Sequence, residues 1–265
     1  MTEIQINPFK SVQENANEYF TKAKKSKAKL KGLEIAMKEM QSKVQNAEKT
    51  GKKQAQGPER KRKREWFEKF RWFFTSQSSL LCIAGKDRQS NEILVKKQMQ
   101  ENDLYFHADI QGAAHCILKD GQLKAKEKDM KEAAKFAAVL SKAWSGQLAG
   151  VDVYSVKPEQ VSKQAQTGES LGSGAFMIYG NREWFRKTPL EFAIGIEDSG
   201  RIVSGPSDAV KGKSKAFAII EFGKDSKSDL AKKLKGLLGK KTGLNASLDE
   251  LMAMLPGEGK IKNAD

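Results

Sequence analysis

About a quarter of the way along the chain, apolar residues spaced three and four apart give way to short alternating runs. The change of period predicts two kinds of structure. Residues 15–49 hold few helix breakers, and Leu30, Leu33, Met37, Met40, Val44 and Ala47 repeat at the a/d spacing of a coiled-coil seam. One helix cannot bury so narrow a stripe by itself, so it needs a partner helix. A second basic helical pattern covers 59–70, and Gly51 with Gly57-Pro58 stands between the two as a turn would. The pattern predicts an antiparallel helical hairpin; a seam between two copies of the chain also satisfies it.

Beyond residue 70 the period shortens to two. Strands are predicted at 72–75 and 80–84, joined by a turn at Gln77, Ser78 and Ser79, and at 104–108 and 114–118 around Gly112. Further strands are expected at 151–156, 176–179, 190–196, 201–204 and 216–222. Helices are expected at 91–98, 126–144, 229–238 and 248–255, the last with Ser247 and Glu250 spaced as a capping box. This irregular succession argues for an α+β fold with a mixed or antiparallel sheet and flanking helices, not a doubly wound one. Three divisions follow: a basic coiled-coil arm at 1–64, an α+β domain at 65–225 and a helical extension at 226–265.

Charge sharpens that division. The 265 residues carry a net charge of +15, and residues 1–70 hold 18 Lys and Arg against 9 Asp and Glu. So basic a chain calls for a polyanionic partner, nucleic acid or an anionic membrane surface. The membrane reading is the weaker one, because no apolar run approaches the roughly 20 residues of a bilayer span. The start of the chain lacks the layout of a signal peptide, and Cys82 and Cys116 sit in apolar strand contexts, so a reduced, cytoplasmic protein is expected.

Candidate chemistry clusters around the change of period. Arg60, Lys61, Arg62, Lys63 and Arg64 precede six aromatic residues between Trp66 and Phe74. Rings beside fixed positive charge suit an RNA strand, with phosphates on the cations and bases on the rings. The plainer readings are a solvated helix face for the charges and core for the rings. Lys86, Asp87, Arg88 and Asn91 occupy a loop between a strand and a helix, where they either meet a phosphate or form an ordinary turn with Ser90 as the helix cap. A polar, glycine-containing segment over 161–176 includes Ser162, Lys163, Thr167 and Gly168; it fits a clamp on a sugar-phosphate chain but lacks the ending of a Walker loop. His107 and Asp109 alternate along a strand. One His-x-Asp pair is thin support for a metal-dependent ribonuclease, and a structural or RNA-contacting role for His107 is preferred.

Four blocks carry a resemblance: WFEKFRWF, IAGKDRQSNEILVKK, DLYFHADIQGAAHCILK and VSKQAQTGESLGSGAFMIYG. In order, over about 65–200, they resemble the RNA-binding domain of the NFACT family, the C-terminal module of ribosome quality-control factors of the NEMF and RqcH type, also known as fibronectin-binding protein A homologues. SVQENANEYFTKAKKSKAKLKGLE is similar to the start of that family's coiled-coil middle region. The resemblance implies a non-enzymatic role without a cofactor: recognition of a large ribosomal subunit carrying stalled peptidyl-tRNA, tRNA binding, and template-free tailing or degradation of the nascent chain. It marks Lys86, Asp87, Arg88, Asn91, His107, Asp109, Ser162, Lys163, Thr167 and Gly168 as RNA-contacting positions. The family's N-terminal NFACT domain is not in this sequence, so the chain is expected to be either a C-terminal piece of such a factor or a split-gene product whose partner is an N-terminal NFACT-domain protein or a second copy through the coil. A protein-interaction scaffold built on the coil is the rival reading.

Overall fold

The structure, a computed structural model, describes residues 5–50, 64–164 and 172–264, and within the first helix the side chains of 35, 36, 39 and 42–50 are not described. Arg60, Lys61, Arg62, Lys63, Thr167 and Gly168 therefore lie outside the described residues, as do the side chains of Val44 and Ala47. Contacts divide the chain into Met1–Lys63 and Arg64–Asp265.

The described part of the first unit holds one long helix, α1 (Val12–Thr50). Ser11 and Glu14 cap it: the Glu14 carboxylate accepts from the Ser11 amide at 2.8 Å, and the Ser11 hydroxyl accepts from the Glu14 amide at 3.2 Å. The seam residues Leu30, Leu33, Met37 and Met40 are all at least 60% exposed. The return helix expected over 59–70 is not seen in its described part. There Trp66–Lys69 form a single 3-10 turn, because Phe67 and Phe70 are drawn into the core of the second unit and Phe70 is already extended.

In the second unit the chain runs β1 (Arg71–Phe74), β2 (Leu81–Ala84), α2 (Arg88–Ile93) with a π turn (Leu94–Gln98), β3 (Leu104–Ala108), β4 (Cys116–Leu118) and α3 (Gly121–Lys124). Next come α4 (Glu127–Val139), α5 (Lys142–Ser145), β5 (Gly150–Val156), the small pair β6 (Val161–Ser162) and β7 (Met177–Ile178), then β8 (Glu183–Pro189). The remainder is β9 (Phe192–Ile196), β10 (Ile202–Gly205), α6 (Ser207–Lys211), β11 (Ala216–Asp225), α7 (Lys227–Thr242), α8 (Leu248–Met254) and β12 (Gly259–Ala264). The fold is α+β. A six-stranded sheet has the order β1-β2-β4-β3-β5-β8 and a four-stranded sheet the order β10-β9-β11-β12, with antiparallel pairing throughout.

Side chains alternate across the six-stranded sheet as period two requires. Phe73, Cys82, Ala84, Phe106 and Cys116 point toward α4 and the second sheet. Trp72, Ile83 and Ile117 take the other face under Leu94, while Tyr105, Tyr154 and Val156 continue that face under Val95. The helix expected at 126–144 is broken in two, because Ser141 caps α5 with its hydroxyl on the Ala143 amide at 3.1 Å. Ser247 makes no side-chain cap bond to α8; Glu250, its expected partner, is paired with Arg64 at 3.3 Å. Residues 226–265 are more than helices, since β12 pairs with β11 and completes the second sheet.

Candidate nucleic-acid interface

Parity along three strands builds the site. Tyr105 and His107 stand two apart on one face of β3, His107 is the register partner of Tyr154 on β5, and His115 precedes β4 with the parity of Ile117. Their rings collect on that face: His107 lies 5.1 Å from His115 and 5.8 Å from Tyr154, and is nearly parallel to Tyr105 at 6.3 Å. Over them opens a cavity of about 850 Å³, walled by the loop after β2, the turn before β4, and residues 172–176.

The His115 tautomer follows from its partners. Its Nε2 donates to the carbonyl of Gly174 at 2.8 Å, so its Nδ1 accepts from the hydroxyl of Tyr105. Burial pushes its pKa down to about 4, opposed by the bond to Gly174. His107 falls further, to about 3, through burial and then through its neighbour His115, and its Nδ1 is buried without a partner. Both rings are neutral at pH 7 and offer flat, weakly polar surface, not charge.

Positive charge comes from the rim. Arg71, Lys86, Arg88 and Lys142 line the cavity. Among the described residues none of the four is in an ion pair, although fourteen other pairs occur. Arg71 is the most enclosed; burial lowers its pKa, and its buried Nε has no partner. Lys86 is depressed by partial burial and then by Arg71 and Arg64, with Asp87 opposing. A buried or crowded cation without a carboxylate carries an unmet demand for an anion.

The remaining expected residues hold the walls in place. Asp87, not Ser90, caps α2: its carboxylate accepts from the Ser90 amide at 2.7 Å, which occupies that helix end. Asn91 accepts from the His115 amide at 3.2 Å, tying α2 to the turn before β4. A Cβ on Gly85 would stand 1.9 Å from the Asn91 side-chain oxygen and 2.9 Å from its backbone nitrogen, so only glycine fits. Lys163 donates to the carbonyls of Gly172 and Ala175 at 2.9 and 3.0 Å and lies over the ring of Phe176. Ser162 accepts from the amide of Gln164 at 3.0 Å. The pairing of His107 with Asp109 does not form: β3 ends at Ala108, and Asp109 is exposed and absent from the cavity wall. Among the described residues no group of three or more His, Cys, Asp or Glu could hold a metal.

The sequence did not point to Tyr105, Lys142, Tyr154 and Phe176. Strand parity could have placed His115 and Tyr154 beside His107 once the β3–β4 and β3–β5 registers were known. The strand β8 was not expected either; just before it Arg182 stacks over Tyr154 at 4.6 Å, and within it Arg186 stacks over Trp184 at 4.0 Å. Arg-x-Trp-x-Arg on a strand puts all three on one face, so this row was readable from spacing.

Comparison with known proteins adds an independent line. Residues 69–180, which include most of the cavity wall, match the family model described as the NFACT protein RNA binding domain. The chain is 37% identical over 202 residues to the archaeal Rqc2 homolog aRqcH of Methanocaldococcus jannaschii, covering 75% of this chain and 29% of that protein. It is 39% identical over 137 residues to the ribosome quality control complex subunit NEMF homolog of Drosophila melanogaster, covering 51% and 14%. With the human NEMF subunit it shares 35% over 175 residues, covering 64% and 16%. The chain thus spans less than a third of the length of each of these relatives. No helix among the described residues is long and apolar enough to cross a membrane.

Proposed function

The chain belongs to the NFACT family through its RNA-binding domain, and from that premise we propose a non-enzymatic RNA-binding module of ribosome-associated quality control. Its ligand is tRNA or ribosomal RNA of the large subunit, met in the cytoplasm on stalled particles. One observation carries this reading: four cations without carboxylate partners rim a ring-floored cavity in the segment that matches an RNA-binding domain. Cations of that kind bind phosphate and supply affinity, while the rings accept bases. Asp87, Asn91, Ser162 and Lys163 serve by shaping the wall, and the basic run from Arg60 to Arg64 adds sequence-independent attraction. The coil of α1 offers its exposed seam to an N-terminal NFACT-domain protein or a second copy of the chain.

Lys86→Ala combined with Arg88→Ala tests the site. Both side chains are exposed, so the fold is kept. Removing these two charged groups is expected to weaken binding to tRNA, and pelleting with large subunits, by roughly tenfold or more. Wild-type pelleting by the double variant would remove this cavity from the interface.

A further inference from the structure

We infer that the cavity receives one unstacked nucleotide of a single-stranded RNA segment, its base on the ring floor and its phosphate on the rim. This rests on the RNA-binding reading above and gives that site its ligand. Three features define the occupant. First, the volume of about 850 Å³ lies within the range of about 300–1,000 Å³ that holds a compact organic ligand, and is a concavity a duplex rod cannot fill. A base must leave its stack to enter it, as in recognition of RNA loops and ends.

Second, cations and flat rings share its wall: Arg71 from β1, Lys86 from the loop after β2, Arg88 from α2 and Lys142 from α5 stand with His107 from β3, Tyr154 from β5 and Phe176 from the segment after residue 171. A nucleotide presents the matching pair of groups, an anionic phosphate and a flat, weakly polar base. Third, none of the lining cations Arg71, Lys86, Arg88 and Lys142 is in an ion pair among the described residues. A phosphate group answers that deficit, whereas a fatty or purely apolar ligand would leave it unmet, and a bare anion would leave the rings uncovered.

The test compares, on the full chain, a hexamer of adenylate with an abasic ribose-phosphate hexamer of equal charge, using fluorescence anisotropy at fixed salt. The intact strand is expected to bind roughly tenfold more tightly, the order of one base stacked on a ring. That advantage should vanish in Phe176→Ala, a half-buried position outside both large sheets. His107→Ala provides a second, independent removal of floor surface; circular dichroism checks that each variant is folded. Equal affinity for the two strands, with tRNA still bound, would overturn the nucleotide pocket and leave the RNA-binding function standing. An advantage that persists in both variants would place stacking elsewhere and overturn it too. Adenosine monophosphate competing as well as the hexamer would make a free nucleotide the occupant and reject an RNA strand. Failure of the chain to bind tRNA or either hexamer would sink the broader function along with the pocket.

Discussion

His107 and His115 are in contact, yet neither can keep a proton at neutral pH. Burial dominates for both, and their pKa values fall to about 3 and about 4. Unfolded, each imidazole takes up its proton near 6.5. Between those values the unfolded chain binds more protons than the folded one, so stability rises with pH and is lost as pH falls below about 6.5. Most carboxylates titrate below about 4.5, which leaves pH 6.5–5 as a window in which the histidines act nearly alone. The slope there is at most about 1.4 kcal/mol per pH unit for each ring. Thermal unfolding at pH 7.5, 6.5 and 5.5 should show a falling midpoint below 6.5, and His107→Gln should make the fall shallower. A midpoint unchanged from 7.5 to 5.5 would contradict the burial of these rings.

At the level of elements, the short α2 governs the cavity wall although none of its side chains is buried. Glu92 accepts from the Ser173 hydroxyl at 2.9 Å, the Gly174 amide at 3.1 Å and Lys96 at 2.6 Å, and these bonds hold its pKa at about 2. From the opposite side Lys163 grips the carbonyls of Gly172 and Ala175. The segment that carries Gly174 is thus held by three side chains, Glu92, Lys163 and His115, and not by a ladder. Glu92→Gln should speed hydrogen exchange at Gly174 by roughly tenfold while moving the unfolding midpoint little, because exposed charge pairs contribute little to global stability. Unchanged exchange would mean that the segment is fixed by something other than Glu92. The helix expected over 91–98 corresponds to the end of α2 and the π turn that continues it. Its start at Arg88 was not readable from sequence, because Asp87 and Ser90 are both good caps and only their mutual geometry decides between them.

Taken whole, the molecule has a net charge of +15, and two groups of its cations, the cavity rim and the run from Arg60 to Arg64, have different consequences. In the proposed function the rim cations hold one ligand at short range, and the run from Arg60 to Arg64 attracts any phosphate chain nearby. Reversing Lys61, Arg62, Lys63 and Arg64 to glutamate should weaken RNA binding across sequences. It should also flatten the dependence of log affinity on log salt by about 0.7–0.9 for each phosphate that the arm no longer neutralises. Titrations at several salt concentrations would measure this, and an unaltered slope would count against the arm.

Sequence alone determined the α+β class, the faces of β1 to β5 and the basic polarity of the chain, because side-chain period and formal charge are local properties. It also placed Lys86 in a loop between a strand and a helix, since turn residues announce themselves, while Arg88, expected in that loop, opens α2. Over the described residues 64–70 it could not tell a helix from a 3-10 turn, because Phe67 and Phe70 have helical spacing but are claimed by a core assembled far along the chain. Nor could it unite His107 with His115, Tyr154 and Arg71. Those residues meet only through the registers of β3 with β4 and β5 and of β1 with β2, and register is fixed by the packing of whole sheets, not by any one strand.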